Sequence, residues 1–231
     1  RPEMRNASKG LPRYIATPEV AKHRLFVFVH PSLLPSGSVY LIARADDTTF
    51  GILHSRLHEL WSLRLGTSLE DRPRYTPTTC FETFPFPGDL TPADTAHQQT
   101  EAVPGSAHGT LIPAQITDSA LKATATRIAE AAARLSALRE NWLNPPEWTE
   151  RVPEVVPLGL DKSPYPDRTV PKAGLSEADA KALHKRTLTN LYNQRPAWLA
   201  MAHEALDAAA ERARRRGGPR RCVCAAHRHG R

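Results

Sequence analysis

The residues best suited to chemistry lie in Glu70-Asp71-Arg72-Pro73-Arg74-Tyr75. Side chains alternate along an extended chain, so Glu70, Arg72 and Arg74 share one face. An arginine pairs in bidentate fashion with guanine O6 and N7, and a glutamate accepts from cytosine N4. Such a stripe suits the reading of base edges. The same residues also suit an ordinary surface strand with an internal Glu–Arg pair, and spacing does not choose between the two. Tyr75, next in sequence and on the opposite face, is expected to pack inward.

Three other groupings carry less. His54 and His58 stand four apart on a helix, a spacing able to hold zinc. Ser55 stands where the zinc-protease pattern needs glutamate, and no third ligand is evident, so polar-face histidines near phosphate are the better reading. Leu143-Asn144-Pro145-Pro146-Glu147-Trp148 invites comparison with the Asn-Pro-Pro-aromatic motif of amino-methyltransferases. Glu147 fills the fourth position, Trp148 is one residue late, and an Ala-rich helix precedes it where a buried strand is required, so it reads as a helix stop. Cys222, Cys224, His227 and His229 have no common closed zinc spacing. No Walker loop, Gly-x-Ser-x-Gly or convincing nucleophile–base pair is found. No metal, cofactor or catalytic residue is therefore expected in this chain.

The elements that must position the stripe read as follows. Leu25 to Val29 and Val39 to Ala43 are strands bounded by turn residues. Phe50, Leu53, Leu57, Leu60, Trp61 and Leu65 describe one amphipathic helix, ended by Gly66. Ser68 to Cys80 is extended, and the prolines of Phe84-Pro85-Phe86-Pro87 forbid a helix. Residues 88–116 are a polar, turn-rich connector. Thr117 or Asp118 caps a long helix with Leu121, Ile128, Leu135, Leu138 and Trp142 along one stripe. Residues 144–175 hold seven prolines and no periodicity, so an extended segment wrapping over other elements is expected. Ser176 with Asp179 caps a helix through Leu183, Leu188 and Leu191, and Pro196 opens another through Trp198, Leu199, Met201 and Leu206.

Charge is uneven. The chain has 231 residues and a net charge of +7. Residues 212–231 hold eight arginines and no acid, leaving 23 basic against 24 acidic residues elsewhere. Residues 1–87 carry net +3 and residues 88–211 net −4. A polyanion would favour the first segment and the tail. No apolar run approaches the ~20 residues of a membrane helix. No signal peptide is recognised and three cysteines make no disulfide framework, so a cytoplasmic setting is expected. The start at Arg1 suggests a chain that begins within a longer gene product.

The segment Phe50 to Trp61, with Gly66-Thr67-Ser68-Leu69-Glu70, Arg72-Pro73-Arg74-Tyr75-Thr76 and Cys80-Phe81-Glu82-Thr83-Phe84-Pro85-Phe86-Pro87, resembles the target recognition domain of MmeI-like DNA methyltransferases. Arg1-Pro2-Glu3-Met4-Arg5, Pro12-Arg13-Tyr14 and Val20-Ala21-Lys22-His23-Arg24 resemble the start of that domain. Trp142 to Pro146, Tyr165 to Arg168 and Thr187 to Leu199 resemble the helical part that follows it.

The resemblance implies an α+β chain: a small β-containing recognition domain, then a mainly helical domain with a Pro-rich extended segment. It divides the chain at 1–87 (C-terminal part of the recognition domain), 88–116 (connector), 117–210 (helical domain) and 211–231 (disordered basic tail). The family is modular. Its catalytic domain uses S-adenosylmethionine to methylate adenine N6, in restriction–modification systems, and its catalytic motif and cofactor loop have no counterpart here. The implied partner is double-stranded DNA, with Glu70, Arg72 and Arg74 reading bases and Arg13, Lys22, Arg24, Arg56 and His58 on the DNA backbone. The alternatives are a specificity subunit acting with a separate catalytic chain, or a nonfunctional truncated relic. Past Ala209 the likeness fails: Arg, Gly, Pro and Cys usage there is that of a GC-rich gene read out of frame. A frameshifted end is expected, with a genuine basic tail as the alternative.

Overall fold

The computed structural model describes residues 6–69, 72–95, 99–217 and 219–221. The architecture is α+β, with small antiparallel sheets first and a mainly helical region after. The first sheet has β1 (Tyr14–Pro18) between β2 (Val27–Val29) and β3 (Val39–Ile42), both antiparallel to it. Ile15 lies opposite Phe28 and Ile42. That face joins the main core, whereas Tyr14, Ala16, Val27, Val29 and Leu41 form a smaller cluster on the other face. Both faces of the sheet are thus covered. For this reason β1 shows no apolar–polar alternation, and periodicity does not reveal it.

The single helix expected from Phe50 to Leu65 is two helices. α1 (Asp47–His54) is capped by Asp46, whose side chain accepts from the Thr49 N–H at 2.7 Å. Ser55 is extended, with φ −67° and ψ 151°. It ends α1 and caps α2 (Arg56–Leu65), its hydroxyl accepting from the His58 N–H. All of α1 is buried. Gly51 lets it approach the long helix α4 (Ser119–Leu143): a Cβ there would lie 2.7 Å from Ile128 Cγ2 and 3.0 Å from Ala132 Cβ. α4 begins at the Asp118 cap and ends at Asn144, as the sequence indicates.

Between α2 and α4 run the hairpin β4 (Thr67–Leu69) and β5 (Arg72–Arg74), the short α3 (Pro77–Cys80), β6 (Pro85–Pro87), and a second hairpin, β7 (Thr100–Ala102) with β8 (Leu111–Pro113). The connector is therefore structured, and Ile112 in it is buried. After α4, β9 (Thr149–Val152) pairs with β10 (Arg168–Pro171). The loop joining them leaves Val155, Leu158, Leu160 and Tyr165 exposed. This Pro-rich segment projects and does not wrap, because its prolines remove ladder donors and its apolar side chains find no neighbours.

Three more helices follow: α5 (Glu177–His184), α6 (Leu188–Gln194) and α7 (Ala197–Gly217). The helix expected through Leu183 and Leu191 is thus divided, with Thr187 capping α6. The break expected near residue 210 is also absent. α7 runs on to Gly217 with Ala210 and Ala213 buried, and β11 (Pro219–Arg221) pairs with β6. Gly88 and Gly217 allow this by backbone contact; a Cβ on Gly88 would meet the Gly217 carbonyl oxygen at 2.4 Å. Small residues on the inner face of α7 continue its stripe past Ala209, which the arginine count obscures. The remaining tail, with Cys222, Cys224, His227 and His229, lies outside the described residues.

One apolar cluster reaches from Ile15 through Phe50, Ile128 and Leu206 to Ala213. The N-terminal sheet region and the later helices share this main core. Among the described residues no helix is long and apolar enough to cross a membrane.

Candidate nucleic-acid interface

The β4–β5 hairpin pairs Thr67 with Arg74 and Leu69 with Arg72. Thr67, Ser68, Leu69, Arg72 and Arg74 are all exposed, and Pro73 between the arginines is half-buried. Arg72 and Arg74 therefore share a solvent face, as strand alternation requires. Glu70 lies outside the described residues.

The hairpin backbone is held at several points. The Tyr75 N–H donates to the Glu19 carbonyl at 2.7 Å, and the Ala21 N–H to the Pro73 carbonyl at 3.3 Å. At its other end, Gly66 accepts no side chain: a Cβ would lie 2.5 Å from the Ser62 carbonyl oxygen and 2.6 Å from that of Arg74. Gly66 ends α2 with φ −72°. Its requirement is this close approach and not a left-handed cap.

Tyr75 is the anchor, 1% exposed. Its hydroxyl lies 3.2 Å from His58 Nε2, and its ring meets Phe26 edge-on. The Arg24 guanidinium sits over the ring at 4.9 Å. Burial pushes the Tyr75 hydroxyl well above its usual pKa. The inward packing expected of Tyr75 is observed.

Above this anchor Arg74 is oriented by an acid. Its Nε donates to Glu19 Oε1 at 2.7 Å, and Nη2 approaches the same oxygen at 2.5 Å. Glu19 occupies one edge of the guanidinium and leaves the other outward. This pair bridges 55 residues of sequence, so no local spacing announces it.

The other candidate contacts divide. Lys22 and Arg56 are exposed. Arg56 lies 3.4 Å from Glu59 in an exposed pair. Arg13 is partly buried; it pairs with Asp47 at 2.7 Å and covers the Phe28 ring at 3.6 Å. Arg24 and His58 are not on the surface, which corrects their place as backbone contacts. Arg24 is 7% exposed and donates to the Thr17 hydroxyl and to the Pro18 and Pro73 carbonyls. His58 is fully buried and sits among Phe26, Tyr75 and Phe84, its Nδ1 2.9 Å from the Leu53 carbonyl. Burial lowers its pKa to about 4. The helix break at Ser55 rotates it inward.

His54 is also buried, with Nε2 2.8 Å from the Phe26 carbonyl and 3.0 Å from Arg139 Nη1. Burial and the Arg139 charge hold its pKa well below the usual value. The two histidines thus serve different backbone partners. Among the described residues no three His, Cys, Asp or Glu side chains are placed to hold a metal. Asn144 caps α4 and donates from Nδ2 to Glu140 at 2.9 Å, so it does stop a helix.

Comparison with known proteins accords with this geometry. Residues 12–88 match the family described as MmeI, target recognition domain. No curated protein sequence matches the chain. Among solved structures, the Type IIL restriction-modification enzyme MmeI, determined in complex with DNA, superposes with a TM-score of 0.53 at 21% identity. The match covers 92% of this chain and 19% of that one. The chain therefore spans about a fifth of that enzyme's length, and the likeness establishes the fold. Residues 12–88 are thus similar to the MmeI target recognition domain, and the chain keeps a fold like that of MmeI through the helices beyond them.

Proposed function

We propose that this chain is the sequence-reading part of a site-specific adenine-N6 DNA methyltransferase of a restriction–modification system. Duplex DNA is its partner. Arg72 and Arg74, with Glu70, face the bases. Lys22 and Arg56 supply exposed charge for phosphates, and Arg13 contributes what its pairing with Asp47 leaves. The observation that carries this reading is the hairpin: two exposed arginines on one face of a strand whose backbone is tied down by Tyr75, Glu19 and Pro73. Specific readout needs donors fixed in direction, and Glu19 fixes Arg74 before any DNA arrives.

S-adenosylmethionine would serve the enzyme's methyl transfer. The residues described here do not fit it: Asn144-Pro145-Pro146 ends a helix, and no glycine-rich loop follows a buried strand. No step of that chemistry is assigned to them.

The test is selection of bound sites from a random duplex pool with the full chain at moderate salt. Enrichment of one sequence is expected. Binding without enrichment, or no binding at any salt, would overturn the reading. Incubation of the chain alone with duplex and labelled S-adenosylmethionine should give no incorporation above background.

A further inference from the structure

A second polar site lies away from the hairpin. An open cleft of about 510 Å³ runs between β2 and α4, lined by Arg13, Asp47, His108, Arg139, Glu140 and Arg151 among others. It sits beside Arg13, which precedes β1, whereas Arg74 is tied to Glu19 beyond the other end of that strand.

Arg139 is the unusual residue. It is 5% exposed, yet among the described residues no carboxylate lies within 4.0 Å of its guanidinium. Nη1 contacts His54 Nε2 at 3.0 Å, and Nη2 donates to the Phe26 carbonyl at 3.1 Å. Both partners are neutral. The Tyr192 hydroxyl is a third hydrogen-bond partner, also neutral, with its ring 5.9 Å away. A guanidinium has five N–H donors, so this cation is buried without a counter-charge and with donor capacity left. Such burial is costly unless an anion offsets it.

The acids of the cleft do not fill that role. Asp47 Oδ2 is engaged by Arg13 and by the Leu111 N–H, both at 2.7 Å, and Asp47 Oδ1 is buried without a hydrogen-bond partner, so it makes no bond to Arg139. Glu140 is exposed and accepts from Asn144. Arg151 and His108 add exposed cationic capacity to the lining. Arg24 makes the contrast: equally buried, it is met by carbonyl and hydroxyl oxygens on several sides.

We infer that the β2–α4 cleft is a phosphate-binding site with Arg139 as its innermost cation and Arg151 at its mouth. The ligand is a phosphate group, either a backbone phosphodiester of duplex DNA or a small phosphate ester. Arginine suits it through paired, charge-assisted hydrogen bonds.

The full chain is titrated with inorganic phosphate against chloride at matched ionic strength, following thermal unfolding. A saturable rise in Tm is expected with phosphate and not with chloride. Arg151→Ala, an exposed change, should weaken apparent phosphate affinity about tenfold. Arg139→Gln should abolish it; should that variant not fold, Arg151→Ala and His108→Ala still decide. Phosphate acting no differently from chloride, or Arg151→Ala responding like the parent, would overturn the proposal. Duplex binding then separates the sources. If the occupant is DNA backbone, Arg151→Ala weakens all sequences alike and lowers the salt slope by about one. If it is a small ester, duplex binding is unchanged. Arg72→Ala and Arg74→Ala should leave the phosphate response intact, so failure of the hairpin as a reader would show separately.

Discussion

The hairpin at Thr67–Arg74 and the layer directly beneath it use the same residue types to opposite ends. On the hairpin, Arg72 and Arg74 are exposed on a strand that contributes almost nothing to the core. One residue further, Tyr75 is buried with Arg24, His54, His58 and Phe26. The difference is in acceptors. Arg24 meets backbone carbonyls inside the fold, whereas Arg74 meets one carboxylate near the surface. A recognition surface can vary on such a base, because its side chains carry little of the stability that holds its backbone in place.

If this contrast holds, substitutions on the two sides of residue 75 should differ sharply. Tyr75→Ala should cost about 3–5 kcal/mol, as for a buried aromatic, and lower Tm strongly in a denaturation experiment. A cost below about 1 kcal/mol would mean that the hairpin is not anchored there.

Acid should act on the buried layer and spare the hairpin. His58, and His203 on α7 with Nε2 2.8 Å from the Tyr192 hydroxyl, have pKa values lowered to about 4, chiefly by burial, and His54 lies well below its usual value. The unfolded chain therefore binds more protons than the folded one below about pH 6.5. Stability is full above that pH and falls as pH drops toward 4. Urea titrations between pH 7 and 4.5 should show the loss, and a flat profile would place these histidines in water.

A smaller effect is expected at the C-terminal end. Removing residues 212–231 deletes the last turns of α7, the buried Ala213 and the strand paired with β6. The loss should be on the order of 1–3 kcal/mol. An unchanged thermal midpoint would show that α7 ends in effect near residue 210.

The sequence discloses some of this architecture and hides the rest for physical reasons. The inward Tyr75 and outward Arg72 and Arg74 follow from strand alternation. The α4 boundaries follow from Asp118 and Asn144-Pro145. Ser55 hides the break in the Phe50–Leu65 run, because apolar spacing continues across a one-residue extension. The interior place of Arg24 and His58 is equally hidden, since charge suggests a surface and the satisfying carbonyls come from Pro18, Pro73 and Leu53. The composition of residues 212–217 suggests disorder, yet α7 needs only small residues at Ala210 and Ala213 to stay packed. Glu19 and Arg139 act through contacts 55 and 85 or more residues away, which no local pattern carries.

The central claim is that Arg72 and Arg74 choose the DNA sequence while the layer below holds the fold. Arg72→Ala and Arg74→Ala, in this chain or with the hairpin grafted into an intact relative, should be tested by site selection from a random duplex pool. Each should change the preferred base at one position, with a loss of roughly 1–3 kcal/mol in discrimination, and move stability by less than about 0.5 kcal/mol. An unchanged site preference, whether binding weakens uniformly or not at all, would contradict the account.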